Sequence, residues 1–390
     1  CVGYCMRVLI AHPDLQVGGG AEVYARALVS VLRQRGHAVG LCDISGHLPA
    51  KGGHYTPVWF RLGQYPGLRR LTLWKYALIC RALPKLSRQY DYVVLSFGEG
   101  PKLFCPVLTV VHGPLLFDPS AKSLRFLGAK FPYLRGFYTR FCKVLAGACV
   151  GIGVGPRNPV VANSRWTAHL VQQCGAEQPS LLYPPVQPLS QFPLRSVSPL
   201  AQPAIFTRGP QSVRDPYLIV VVGRIVRNKR LEDAVALLDR LRRCGIPAHL
   251  KIIGHARCAY AGRFLSRYAS HPHISLLPNA DQAALAEVLS RARIGLHMYR
   301  GEHFGIALAE MICAGVLPFV HDSGGVCELV TDPSLKFVTT TDLLHKVIAV
   351  MSWKEAICTQ RLAVLKTTPA LQKALRFPSE CERLLQSVGL

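Results

Sequence analysis

The strongest constraint in this sequence is a rhythm that runs twice. Short apolar runs end in Gly- or His-containing loops, and each is followed by a stretch of helical length. The run Arg7–Ala11 leads through residues 12–20 into a helical pattern from Ala21 to Gly36, then into the run His37–Cys42. Val23, Ala27, Leu28, Val31 and Leu32 share one face of that helix. Strand, glycine loop, helix and strand make a Rossmann-like βαβ opening. Apolar runs of this kind predict parallel strands buried on both faces. The rhythm continues at Asp91–Ser96, Val107–Val111 and Asn158–Asn163, where Ser164 is placed to cap a helix Arg165–Cys174. It restarts at Leu218–Val222. Strands then follow at His249–Gly254, Ile274–Leu277, from Ile294, and at Val316–Val320. Helices are predicted at Leu231–Cys244, Gly262–Ala269, Gln282–Arg291, Ile306–Ala314 and through most of Asp342–Leu390. At 390 residues the chain is too long for one ordinary core, so two domains are expected.

The charge is lopsided. There are 46 Lys+Arg against 22 Asp+Glu, a net charge of +24, which predicts attraction to anions: nucleotides, nucleic acid or an acidic membrane surface. Residues 57–90 hold Arg61, Arg69, Arg70, Lys75, Arg81, Lys85 and Arg88 and no acidic residue, interleaved with Trp59, Phe60, Tyr65, Trp74 and Tyr76. Residues 122–143 repeat the mixture around Phe126, Phe131, Tyr133, Phe137, Tyr138 and Phe141. Such segments suit a membrane interface or single-stranded nucleic acid stacked on aromatics. Ordinary amphipathic helices with solvated basic faces would show the same pattern. No nucleic-acid-binding motif accompanies the charge, so an anionic membrane surface is the expected partner and nucleic acid is not. No apolar run reaches ~18 residues and no secretory signal is visible, so membrane association is expected to be peripheral. The 14 Cys show no Cys-x-x-Cys pair and no zinc-ligand spacing, which predicts reduced, buried thiols.

Candidate site residues fall at strand ends. Glu302 and His303 sit in the turn after the run from Ile294, before the apolar helix that starts near Ile306 and stops at Gly315. Amides at Phe304, Gly305 and Ile306 would face an anion there. Glu310 lies inside that helix, where a buried carboxylate needs a donor; a ligand hydroxyl would serve. The alternative is that both carboxylates answer the helix dipole, which suits Glu302 but not Glu310, beyond the first turn. Gly223-Arg224 ends another apolar run, and Lys229 follows in a basic turn. Together these cations can clamp a diphosphate, or they are two solvated charges in a basic chain. The triple glycine Gly18, Gly19 and Gly20 precedes the first helix, and His112 ends the run Val107–Val111. Each can meet a ligand, or be a flexible turn and a structural histidine.

In combination these residues resemble glycosyltransferase family 4, the retaining nucleotide-sugar transferases of GT-B fold. That fold is α/β, with two Rossmann-like domains facing a cleft. The family's Glu-x7-Glu signature matches Glu302 and Glu310, and its Gly-Arg-x4-Lys element matches Gly223, Arg224 and Lys229. Ile294-Gly-Leu-His297, Asn163-Ser-x-Trp166-Thr, Tyr183-Pro-Pro and His321-x-Ser-Gly-Gly325 look like the dolichol-linked-oligosaccharide α-1,2-mannosyltransferases. Those use GDP-mannose and extend a lipid-linked glycan at the cytoplasmic membrane face. Their N-terminal membrane anchor is not among these residues, and the glycine loop here reads on into Ala21-Glu22. The resemblance implies an acceptor-side domain over 6–186, a Pro-rich linker or insertion over 187–216, a nucleotide-sugar-binding domain over 217–370, and a C-terminal helix over 371–390 packing back on the first domain. It implies that Arg224 and Lys229 stabilise the departing diphosphate, aided by amides at Phe304 to Ile306. Glu302 would hold the sugar and Glu310 the ribose. His112 and the Gly18–Gly20 loop, with Gly19 and Gly20 at the donor, would meet sugar and acceptor. No Asp-x-Asp motif occurs, so no metal cofactor is expected. Two other classes remain: a GT-B nucleotide-sugar epimerase or hydrolase, and a non-enzymatic basic binder of nucleic acid.

Overall fold

A computed structural model describes residues 5–16, 18–44, 71–113, 132–147, 158–187 and 214–390. Arg61, Arg69, Arg70, Phe126 and nearly all of the Pro-rich stretch 187–216 lie outside the described residues. The chain divides into two compact units, Cys1–Pro185 with Arg376–Leu390, and Val186–Leu375.

The first unit is built on a parallel sheet of six strands: β1 (Arg7–Ala11), β2 (Ala38–Cys42), β3 (Tyr92–Leu95), β4 (Val107–Val111), β5 (Val160–Ala162) and β6 (Ser180–Leu181). Their order across the sheet is β2-β1-β3-β4-β5-β6. Order reverses between β1 and β3, which leaves a crevice at the carboxyl ends of those two strands. Around the sheet are α1 (Gly20–Gln34), α2 (Thr72–Leu86), α3 (Pro132–Ala146) and α4 (Arg165–Gln173). Ser164 caps α4, accepting from the Thr167 amide. One core face joins Val8, Ile10, Val94 and Val110 of the strands to Tyr24, Leu28 and Leu32 of α1. Phe377, Cys381 and Leu385 complete it, from the C-terminal helix Phe377–Ser387. The Tyr24 and Phe377 rings meet edge to face at 5.2 Å.

The second unit repeats the plan with β7 (Asp215–Val222), β8 (His249–Gly254), β9 (Ile274–Pro278), β10 (Ala292–His297), β11 (Leu317–His321) and β12 (Lys336–Phe337). Their order is β12-β11-β10-β7-β8-β9, again parallel, with the reversal between β7 and β10. Helices α5 (Leu231–Arg243), α6 (Ala259–Tyr268), α7 (Gln282–Arg291), α8 (Ile306–Cys313) and α9 (Thr340–Met351) alternate with the strands.

Most expected elements stand within two residues of their sequence-predicted bounds. β7 starts three residues early, at Asp215, and α6 three residues early, at Ala259. The short strands β6 and β12 were not expected; two residues are too few for a periodic signal. The basic segment over α2 needs correcting. Its apolar residues mostly face the core, including Leu73, Tyr76, Ile79 and Leu83. Lys75, expected among exposed basic residues, is buried, with Nζ 2.5 Å from Asp14 Oδ2. A helix apolar nearly all round is buried, and a lysine on it needs a carboxylate partner. Arg81, Lys85 and Arg88 do face solvent.

Candidate active site

In the second unit the site forms at the switch between β7 and β10, where open α/β sheets bind ligands. β7 runs out into Gly223 and the exposed Arg224. Among the described residues no hydrogen bond or ion pair holds the Arg224 guanidinium. One further turn, Arg227–Lys229, carries Lys229 back over the strand end. Its Nζ lies 2.6 Å from Glu302 Oε2 and 5.2 Å from the centre of the Tyr299 ring. This ion pair joins the loop after β7 to the loop after β10.

Glu302 is held from several sides. His297, fully buried at the end of β10, places Nε2 3.3 Å from the same Oε2, close but off the hydrogen-bonding direction. Burial acts to raise the Glu302 carboxyl, but the Lys229 ammonium and His297 overcome it and hold the group well below the usual carboxylate range. Glu302 is therefore an anion. His297 is lowered, first by burial and then by Lys229, against the pull of Glu302.

The backbone at Glu302 is fixed by the loop His321–Gly325. The Gly325 amide donates to the Glu302 carbonyl at 2.8 Å. Gly324 has φ +89°, and a Cβ there would sit 2.4 Å from that carbonyl oxygen, so the approach needs glycine. The Gly301 amide donates to Ser323 Oγ at 3.0 Å, and Ser323 Oγ is 2.7 Å from His321 Nδ1.

Past the turn, His303 is pushed by burial down to about 4, so it is neutral near pH 7. Phe304 packs into the core at 2 % exposure. Gly305, φ +90°, is the residue before α8, and no side chain caps that helix. The open amides of its first turn, Ile306 and the residue after it, begin two positions beyond Phe304. Glu310, one turn on, is largely buried. Burial pushes its carboxyl up to about 7. Among the described residues no donor reaches it, so a ligand hydroxyl would meet a group poised between its two charge states.

The first unit has a counterpart at its own switch. Gly19 precedes α1, and its amide donates to Glu22 Oε2 at 2.6 Å. Glu22 Oε1 lies 3.3 Å from Nε2 of the fully buried His12 at the end of β1. His12 Nδ1 is 2.9 Å from Ser96 Oγ, just past β3. Gly20 opens α1 itself. His112 ends β4, its ring edge-on to Tyr24 at 4.7 Å and its carbonyl accepting from Asn163 Nδ2 at 3.2 Å.

The structure thus gathers Gly223, Lys229, Glu302, His303, Phe304, Gly305, Ile306 and Glu310 in the second unit, with Arg224 at its edge. Gly19, Gly20 and His112 belong to the first unit. Sequence reasoning gave no role to His297, His12 or Glu22. For Glu22 the signal was there: Gly19-x-x-Glu22 has capping-box spacing.

The family model for group 1 glycosyl transferases matches residues 206–353. That segment is thus similar to group 1 glycosyl transferases. Beyond that segment, the chain is similar to GDP-Man:Man(3)GlcNAc(2)-PP-Dol alpha-1,2-mannosyltransferases. It is 27% identical over 256 residues to that of Yarrowia lipolytica, covering 58% of this chain and 37% of that protein. It is 25% identical over 273 residues to that of Mus musculus, covering 65% and 49%. The chain thus spans half or less of the length of these relatives. Among solved structures it is similar to WaaG, a glycosyltransferase involved in lipopolysaccharide biosynthesis. That match has a TM-score of 0.64 and 15% identity, over 98% of this chain and 99% of that one. Anabaena HepE in complex with UDP-glucose gives a TM-score of 0.61 at 14% identity, over 98% and 100%. The chain therefore has the GT-B fold, two parallel-sheet α/β domains.

Proposed function

We propose that the protein is a retaining glycosyltransferase that moves a hexose, mannose from GDP-mannose in the favoured case, to a lipid-linked or other glycan acceptor at the cytoplasmic face of a membrane. The observation that carries this reading is the Lys229–Glu302 pair beside Arg224, at the sheet switch of a segment similar to group 1 glycosyl transferases. Lys229 and Arg224 neutralise the diphosphate as it leaves. Because Glu302 and Tyr299 already hold the Lys229 ammonium, little reorganisation accompanies that charge development. Amides at the start of α8 add to the same field. Glu302 orients the sugar and Glu310 meets the ribose. The leaving phosphate takes the acceptor proton, and the configuration at the anomeric carbon is retained. These cations do the work that a metal would otherwise do, and no metal cofactor is used. The mannose assignment is supported by similarity to the mannosyltransferases.

The membrane assignment is supported by α3. Phe137, Phe141 and Val144 are exposed at 72%, 48% and 70%, spaced to share one face, with Arg140 and Lys143 beside them. Phe137 stacks on Phe141, and Phe141 on Trp74. An apolar stripe flanked by cations fits an anionic bilayer surface. Among the described residues no helix is long and apolar enough to cross a membrane.

The test is transfer of labelled sugar from GDP-mannose, and from a panel of UDP-sugars, into detergent-solubilised membrane lipids, with and without EDTA. Organic-extractable product that survives EDTA is expected. A folded protein that moves no sugar from any donor would overturn the proposal.

A further inference from the structure

Backbone contacts fix where Lys229 and Arg224 stand. β7 ends at Val222, which is paired with Ile253 of β8. The pairing runs on past the strand end. The Gly223 amide donates to the Ile253 carbonyl at 3.0 Å, and the Ile225 amide donates to the His255 carbonyl at 2.9 Å. Gly254 lies between those two acceptors and closes β8. It has no room for a side chain. A Cβ on Gly254 would sit 1.7 Å from the Gly223 carbonyl oxygen and 2.5 Å from the carbonyl carbon. Both are backbone atoms, so no change of rotamer relieves the clash. Gly254 is also tied to the end of β9. Its carbonyl accepts from the Asn279 amide at 2.9 Å, and Asn279 Oδ1 accepts from the Ala256 amide at 3.0 Å. The Lys229 stem passes over Gly223, with Cε 3.8 Å from the place a Gly223 Cβ would take. From there Lys229 Nζ reaches Glu302 Oε2 at 2.6 Å.

We infer that Gly254 is a positioning residue for the handling of the departing diphosphate: its bare backbone contact with Gly223 sets the height of the loop after β7, and with it the reach of Lys229 to Glu302. A methyl group at position 254 would have to lift the Gly223 carbonyl by roughly 1.5 Å to restore an ordinary carbon–oxygen contact of about 3.3 Å. Lys229 and Arg224 ride on that loop and move with it. A misplacement of about 1 Å at a reacting centre costs on the order of 10²-fold in rate. The diphosphate in this inference rests on the proposed function; the seat of Lys229 against Glu302 does not.

A double-mutant cycle tests the two parts separately. Wild type, Gly254→Ala, Lys229→Ala and the double variant are first compared by urea midpoint with no ligand present. A clash that acts through the Lys229–Glu302 pair costs less once Lys229 is gone. The midpoint drop from Gly254→Ala is therefore expected to be about half as large in the Lys229→Ala background. Equal drops in the two backgrounds would overturn the inference. Transfer is then read on the same set. Gly254→Ala is expected to lower kcat about 10²-fold in the wild-type background, and only about threefold or less beyond Lys229→Ala. An undiminished second loss would remove the positioning role. Gly262→Ala is the control for an added methyl group: nothing lies within 4 Å of a Cβ at that position in α6, so midpoint and transfer should not fall. Should Gly254→Ala not fold, Asn279→Ala takes its place in both cycles. It loosens the backbone beside Gly254 without a clash, and its smaller losses fall under the same two criteria. A wild type that moves no sugar while the midpoints are coupled would sink the donor assignment and leave the seat of Lys229 standing.

Discussion

The two units solve one problem with different chemistry. Each has its sheet switch, and each plants a buried histidine at the carboxyl end of a strand beside that switch, His12 after β1 and His297 at the end of β10. Each sets a glutamate against that histidine. In the first unit, Glu22 is saturated by its own surroundings, the ring and the Gly19 amide. In the second, Glu302 also holds Lys229, and two groups of that unit have no partner among the described residues: the Arg224 side chain and the Glu310 carboxyl. A closed network positions backbone, whereas a network with open valences binds ligand. Under the proposed function, the second unit handles the anion and the first frames it.

Lys229→Ala attacks that assignment hardest. Transfer should fall by roughly 10² to 10³, the loss of one preorganised charge at a departing anion, and Glu302 should be left as an unpaired buried charge, costing about 3 kcal/mol of stability. Steady-state kinetics and urea melts read the two effects separately. A mild loss would make the second unit's network a brace like the first's.

Glu310→Gln probes the open carboxyl. Its folded pKa of about 7 lies above the unfolded carboxylate value of 4.5, so the native state binds more protons between those values and wild-type stability declines as pH rises through that window. Without ligand, Glu310→Gln should match wild type below pH 4.5 and be more stable by up to about 2–3 kcal/mol above pH 7. Parallel denaturation curves at pH 4 and pH 8 show whether the gap opens.

A smaller effect is expected at the rim of the first unit. The pair Phe137→Glu and Phe141→Glu should weaken sedimentation with anionic vesicles about tenfold or more while leaving the fold intact, because both side chains are solvent-facing. Unchanged co-sedimentation would detach α3 from the membrane. The smallest effect is on Glu22→Ala, which should lose about 1 kcal/mol as a helix cap. Glu22 is lowered in the fold, so its contribution is full above the unfolded carboxylate value and fades as pH falls through the folded one. A loss well beyond that would show the first network carrying more than a frame.

Much of this was legible in the sequence because parallel strands buried on both faces write themselves as unbroken apolar runs. β1, β4, β8 and α7 have their sequence-predicted bounds. The spacing of Glu302, Glu310, Arg224 and Lys229 was equally readable. Other features were not. That Lys229 and Glu302 form an ion pair depends on β7 and β10 being neighbours, and strand order leaves no local trace. Lys75 reads as one more surface cation, since its partner Asp14 lies sixty-one positions away. The pairing of His12 with Ser96 likewise joins two strand ends that only the sheet brings together.

The helix Phe377–Ser387 has a consequence for biosynthesis. It supplies Phe377, Cys381 and Leu385 to the core beside α1, and Arg35 donates to the Leu390 carbonyl at 3.0 Å. The first unit therefore lacks part of its interior until the second unit has been translated, a delay on the order of ten seconds or more. During that interval the apolar flank of Tyr24 and Leu28 is open to other chains. Chaperone dependence during synthesis should be greatest in that interval.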